Sequence, residues 1–332
     1  MKVLFVGEGT VSDAVRCELP AHHLNKLGVD TSFTVIEWRD APILPTEENY
    51  DLIVFSRPHH DTLMLAYKRM GTKMIVDMDD DFHAIPENHP GYRDVGNGDP
   101  YYLAKLDNCI YLADLVTVAT SELRERLLPL NKNIKVIPNG WSADNFNWLV
   151  KRSIHKDRFV FGWGGTITHR EDFKVCVKPI QHVLKENPRA MVCICGDPEI
   201  YKLLAGVKEK QKMFVPMMPY YIFPVAMSLW DVMLVPLIDN TFNQAKSDLK
   251  LVDAGARGIP YICSDVSIYR NWPDGGLRVQ NTEDEWYAAM KVMIDSPNTY
   301  QTFVNNGRQA ARMREMNNLA RVWQNAIEEA MK

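Results

Sequence analysis

The sequence predicts an α/β protein of two domains, each a parallel sheet with crossover helices. Three observations lead there. Short apolar runs alternate with amphipathic stretches from Met1 to Lys332, the pattern of parallel strands joined by helices. The alternation stops once, between Asn139 and Asp157, where polar and basic residues replace it, and then restarts. A chain of 332 residues also exceeds the roughly 250–300 at which a single core stops growing.

In the first half, strands are expected at Lys2–Val6, Thr31–Ile36, Leu52–Ser56, Lys73–Asp77, Leu115–Ala119 and Ile134–Ile137. Helices fall between them at Ser12–Leu27, His60–Met70, Tyr101–Leu112 and Ser121–Leu130, the last with Ser121 as its N-cap. Ile85–Pro100, rich in proline and glycine, reads as a loop. After the expected hinge come strands Phe159–Gly162, Ala190–Cys195, Met213–Pro216, Val232–Pro236 and Tyr261–Ser264. The intervening helices are Asp172–Glu186, Pro198–Leu204, Tyr220–Leu229 and Lys246–Ala256. Three more helices close the chain, at Glu283–Asp295, Thr299–Arg314 and Leu319–Met331.

Composition narrows the class. Hydrophobic residues make up 46% and charged residues 24%, ordinary for a globular protein. No apolar run reaches the length of about 18 residues that a membrane span needs. The N-terminus enters a strand with no secretory leader, so the expected location is cytoplasmic. The six cysteines are scattered in apolar runs and form no C-x-x-C pair, so free thiols and no metal site are expected. Charge is uneven: residues 1–150 hold 14 Lys and Arg against 22 Asp and Glu, and the remainder holds 24 against 20. The second half is thus the better seat for an anion. The acidic first half is a poor general surface for nucleic acid.

The densest chemistry lies in Asn243-Gln244-Ala245-Lys246-Ser247-Asp248-Leu249-Lys250, which runs on through Asp253 to Gly258-Ile259-Pro260. Lys246, Ser247, Lys250 and Asp253 are spaced by threes and fours, so several of them can share a helical face. A helix N-terminus attracts phosphate through its free N–H groups and dipole. Lysines there add charge, and an acid one turn on can accept from sugar hydroxyls. The alternative is an ordinary solvated face of i,i+4 pairs. Gly7-Glu8-Gly9-Thr10 after the first strand, and Gly164-Gly165-Thr166 with His169 and Arg170 in the second half, are glycine turns that let backbone approach a ligand. The first lacks the third glycine of a dinucleotide fingerprint. Asp77-Met78-Asp79-Asp80-Asp81 crowds carboxylates at a strand end, which points to solvation, pairing or function.

Four segments in order carry a family resemblance: Val136-Ile137-Pro138-Asn139-Gly140, Gly162 to Asp172, Ser228 to Leu237, and Phe242 to Pro260. Together they resemble nucleotide-sugar glycosyltransferases of the GT-B fold, in particular family-4-like retaining enzymes. The resemblance spans nearly the whole chain. It implies two Rossmann-like domains facing across a cleft: residues 1–147 for the acceptor, 158–316 for the donor, and a last helix over 317–332 crossing back to the first domain. It implies transfer of a sugar, with retention, from a nucleoside diphosphate sugar (a UDP-sugar foremost) to a hydroxyl acceptor. No other cofactor is implied. The donor would be held by Gly9, Thr10, Gly165, Thr166, His169, Asn243, Lys246, Ser247, Lys250 and Asp253. Asp79 and Asp80 would stand where relatives have a His-Asp pair, as the catalytic groups.

Two departures stand out. Ala245 occupies the place of the family's first glutamate, leaving the sugar to Asp239, Asn240 and Asn243, and the His of the His-Asp pair is absent. The acceptor class stays open, a base in nucleic acid included. A sugar-nucleotide epimerase and an inactive nucleotide-sugar-binding module are the rival readings.

Overall fold

A computed structural model describes residues 1–36, 49–150 and 157–332. Part of the expected hinge, 151–156, lies outside the described residues. The chain forms two compact units. The first comprises Met1–Ser142, Ala245–Ser247 and Arg314–Lys332; the second comprises Ala143–Gln244 and Asp248–Met313.

The first unit is built on six parallel strands: β1 Lys2–Gly7, β2 Asp30–Val35, β3 Leu52–Ser56, β4 Lys73–Met78, β5 Leu115–Val118 and β6 Ile134–Val136. Their order is β2-β1-β3-β4-β5-β6. β1, β3 and β4 are almost wholly buried, which is why they read as continuous apolar runs rather than alternating ones. The last helix, Met316–Ala330, lies on this sheet, and its Trp323 meets Phe5 edge-on at 5.8 Å between ring centroids.

The expected helix over Ser12–Leu27 is interrupted. Val11–Asp13 and Leu19–Lys26 are α-helical, and Ala14–Glu18 between them widens into a π-turn. Pro20 explains the widening: it has no N–H for the carbonyl of residue 16. The cap of the helix Ser121–Leu127 is Thr120, not Ser121. The Thr120 hydroxyl accepts from the Leu123 amide, and Ser121 is the first helical residue. Within the stretch read as a loop, Tyr92–Val95 forms one helical turn.

The second unit repeats the plan with β7 Phe159–Gly165, β8 Ala190–Gly196, β9 Lys212–Pro216, β10 Val232–Val235, β11 Tyr261–Ser264 and β12 Gly276–Val279. All pairings are parallel. The order is β12-β11-β10-β7-β8-β9. β12 was not legible in the sequence. Its core joins Phe161, Trp163, Val192 and Leu234 to Phe173 and Ile180 of the helix Arg170–Glu186 and to Trp286 of Glu283–Asp295. The helix expected over Lys246–Ala256 starts later, at Leu249, and runs to Arg257, and a separate helical turn, Thr241–Gln244, precedes it.

Candidate functional site

Open parallel sheets bind ligands at the carboxyl ends of their strands, where the strand order reverses. In the second unit that point lies between β7 and β10. The glycine turn sits there. Gly164 and Gly165 end β7, and Thr166 leads through the turn Ile167–His169 into the helix Arg170–Glu186. Lys250, in the first turn of Leu249–Arg257, donates from Nζ to the Gly164 carbonyl at 2.8 Å. A Cβ on Gly165 would lie 3.4 Å from the same Nζ. The lysine therefore lies against the glycine backbone.

The turn is held by Asp172. Its Oδ2 meets His169 Nδ1 at 2.9 Å, and its Oδ1 accepts from the Ile238 amide at 2.9 Å and from Asn243 Nδ2 at 3.0 Å. One buried carboxylate thus ties the loop after β7 to the loop after β10. Asn243 also donates to the Ile238 carbonyl, so its amide nitrogen serves the loop itself. Thr166 and Thr168 share a hydroxyl contact of 2.6 Å.

Asp253 is buried one turn beyond Lys250, and its Oδ1 accepts from the Tyr220 hydroxyl at 2.8 Å. Burial pushes this carboxyl up to about 7, against the Tyr220 hydrogen bond and the Lys250 charge, which both lower it. Tyr220 and Asp172 were not singled out from the sequence. Asp172 was visible only as the expected start of a helix.

Lys246 and Ser247 do not share a helical face with Lys250 and Asp253. They precede the helix and belong to the first unit, because Ala245–Ser247 finds its partners there. The Ala245 carbonyl accepts from Thr120, Ser247 Oγ accepts from Asn139 Nδ2 at 2.8 Å, and Lys246 Nζ reaches both Asp80 oxygens at 3.0 and 3.1 Å.

The reversal of strand order in the first unit lies between β1 and β3. Gly9, in the left-handed region at φ 79°, turns the chain after β1. Asp13 Oδ2 holds this turn through the amides of Glu8 (2.9 Å) and Thr10 (2.7 Å). Arg57 follows β3 with φ 49°, uncommon for a residue with a side chain. Its guanidinium donates to the Thr10 hydroxyl and lies 3.5 Å from Glu8, 3.5 Å from Asp13 and 3.8 Å from Asp79. Burial alone would raise the Asp79 carboxyl. Arg57, the Ser12 hydroxyl, Arg16 and Lys246 outweigh it and hold Asp79 below the usual carboxylate range.

Beneath this layer Arg16, fully buried on the π-turn, forms a two-point pair with Asp77 at 2.5 and 2.9 Å. It also donates to the Ile137 carbonyl and to Asn139. The structure thus brings Gly9, Thr10 and Asp79 together in the first unit, with Asp80 bound to Lys246. In the second it groups Gly165, Thr166, His169, Asn243, Lys250 and Asp253. Glu8, Asp13 and Arg57 were missed as site residues. The one signal was the polar run Arg57-Pro58-His59-His60 directly after an apolar strand.

No protein-family model matches the chain, and no curated protein matches its sequence. Solved structures do match its fold. An Anabaena protein crystallised with UDP and glucose superposes with a TM-score of 0.72 at 13% identity, over 99% of each chain. A glycosyltransferase from Rickettsia africae gives 0.70 at 14% identity, over 100% of this chain and 98% of that one. A Listeria monocytogenes protein assigned as a UDP-N-acetylglucosamine 2-epimerase gives 0.62 at 12% identity, over 98% and 95%. The fold is GT-B. At these identities the likeness establishes architecture and leaves the reaction to the site.

Proposed function

We propose that the protein is a glycosyltransferase that moves a sugar from a nucleoside diphosphate sugar to a hydroxyl acceptor. The observation that carries this reading is the convergence at the β7–β10 switch point. There a glycine turn, the start of the Arg170–Glu186 helix and the Lys250 ammonium occupy one place. Backbone N–H groups at a helix start together with a cation suit a phosphate. Stabilising the charge that develops on a leaving diphosphate is commonly the largest catalytic contribution.

In this reading Gly165, Thr166 and Lys250 hold the diphosphate, and His169 and Asn243 shape the turn through Asp172. Asp253 takes the ribose diol by sharing it with the Tyr220 hydroxyl. Gly9, Thr10, Lys246 and Ser247, on the first unit, belong to the same proposal as donor contacts. Asp79 and Asp80 are assigned to the sugar and acceptor as orienting charges. UDP as the nucleotide, retention of configuration and a cytoplasmic location are parts of the same reading. The solved likeness to an Anabaena protein holding UDP and glucose supports the choice of UDP.

The test is a donor panel followed by mass spectrometry. Release of free UDP from a UDP-sugar, raised by a hydroxyl acceptor, is the expected result. Conversion of a sugar nucleotide with no UDP released would identify an epimerase instead. Binding without turnover would identify a binding module.

A further inference from the structure

Among the described residues, the strand-end site of the first unit sets one guanidinium, Arg57, against three carboxyl groups, Glu8, Asp13 and Asp79. The charge balance is negative, and it stays negative when Glu8 is protonated. Other cations nearby do not reverse it. Arg16 is paired with Asp77 beneath, Lys246 bonds Asp80, and Lys105 lies over the Tyr101 ring at 4.2 Å. A phosphate or carboxylate brought to this place would meet like charge, and the cation closest to it is already ringed by acids.

A second observation marks the place as more than an acidic cluster. Arg57 is 8% exposed and held in a left-handed backbone conformation, yet its Nε has no hydrogen-bond partner. Asp79 Oδ1, 3.8 Å away, has none either. Buried polar atoms are rarely left so, and an unused donor beside an unused acceptor calls for one group that both accepts and donates. A hydroxyl does both. A phosphate or an ionised carboxylate only accepts, and an ammonium only donates.

Glu8 and His59 complete the surface. The Glu8 side chain is the more open of the loop acids, at 15% against 2% for Asp13. Its oxygens lie 3.5 Å from Arg57 Nη2 and 3.8 Å from His59 Nδ1, longer than ordinary charge-assisted bonds. Burial pushes Glu8 up to about 7 against the pull of Arg57, with Asp13 and Asp79 adding. Near neutral pH it is present as acid and as carboxylate; the first donates to a hydroxyl and the second accepts from one. His59 is pushed down to about 4, by burial first and then by His60 and Lys105, so its ring is uncharged. It lies against Tyr102 at 4.7 Å between centroids and gives the site an apolar surface.

Resting on the glycosyl-transfer reading, we propose that this strand-end site, wholly within the first unit, is the acceptor site, that it takes an uncharged sugar, and that Glu8 is the specificity residue that excludes phosphorylated and carboxylated ones. Arg57 and Asp79 hold one hydroxyl between them, Glu8 takes a second, and the His59 ring supports the carbon face of the sugar.

The test measures binding, so no turnover is needed. Glucose, galactose and mannose, and the 6-phosphate of each, are titrated into the full chain at pH 8 by saturation-transfer NMR. UDP affinity is measured by calorimetry on the same samples. At least one free sugar should bind, and its 6-phosphate should bind about tenfold more weakly or not at all. Glu8→Leu should weaken the free sugar by about tenfold or more. Glu8→Gln should keep the free sugar and narrow the gap to the 6-phosphate, because the amide still donates and accepts but carries no charge. UDP affinity should hold in both variants. The proposal is overturned if none of the three free sugars binds, if a 6-phosphate binds as tightly as its free sugar, or if Glu8→Leu binds the sugar like the wild type. Failure of the wild type to bind UDP overturns the donor reading instead, and the sugar titrations still decide the charge selectivity. Should Glu8→Leu not fold, Glu8→Gln decides: an unchanged gap between sugar and 6-phosphate overturns the role of Glu8.

Discussion

Lys250 Nζ donates to the carbonyl of Gly164 at 2.8 Å, so the ammonium of one helix start lies against the turn that begins another. The head group stays only partly buried. A carbonyl is a weak partner for an ammonium compared with a phosphate, because it carries only a partial charge. A diphosphate arriving at this turn would therefore draw the lysine to itself.

Lys250→Ala should weaken UDP binding by about 1.5–3 kcal/mol, the value of a hydrogen bond to a charged group, or roughly tenfold to a hundredfold in affinity. Lys178→Ala is the control. Lys178 is exposed on the helix Arg170–Glu186 and lies 3.8 Å from Glu283, a surface pair of little energetic value. Calorimetric titration of UDP into both variants checks this, and equal losses would remove Lys250 from the site.

Asp253→Asn tests the ribose role and a pH effect together. The folded carboxyl is raised to about 7 from an ordinary 3.8, so between those values the folded state binds more protons than the unfolded state. Stability from this group is present below about pH 4 and declines as pH rises toward 7. Asparagine still accepts from Tyr220 but does not ionise. Melting temperatures of the wild type should fall between pH 4 and pH 8 by more than those of Asp253→Asn. Donor affinity at pH 8 should drop in the variant. An unchanged affinity with the altered melting profile would make Asp253 structural only.

The acidic run invites a metal, and the expected outcome is the opposite. Asp81 bonds Arg126 at 2.9 Å, Asp80 bonds Lys246, and Asp79 is held by Arg57 and Ser12, so each already has a partner. Sugar transfer should persist in EDTA. Asp79→Asn should lower turnover more than donor binding, read as a fall in kcat with little change in UDP affinity. Activity lost on chelation and restored by Mn²⁺ or Mg²⁺ would move this run to a metal role.

Arg16 and Asp77 are each 1% exposed and hydrogen-bonded at two points. Removing one member leaves an uncompensated buried charge, which costs about 3–5 kcal/mol. Asp77→Ala should therefore lower stability by that amount in urea denaturation. Arg16→Met with Asp77→Leu should recover much of it.

Most of the architecture was legible because buried parallel strands leave continuous apolar runs. Leu52–Ser56 and Tyr261–Ser264 came out with the observed ends. The glycine turn at Gly164–Thr166 was legible for a similar reason, since glycines directly after a strand have few other uses. Residues whose role depends on distant partners were not. Lys246 and Ser247 have the spacing of a helical face, but hydrogen bonds to Thr120, Asn139 and Asp80 take their segment into the other unit. Arg57 shows its role only when β1 and β3 become neighbours and bring Glu8 and Asp13 to it. The π-turn at Ala14–Glu18 needed Pro20 to be read as an interruption inside an otherwise helical pattern.

The measurement that bears most directly on the account is a crystal structure of the protein soaked with UDP. The diphosphate should lie against the amides of Gly165 and Thr166 and within hydrogen-bond reach of Lys250 Nζ, with the ribose at Asp253. UDP bound elsewhere, or a β7–β10 switch point left empty at saturating UDP, would contradict it.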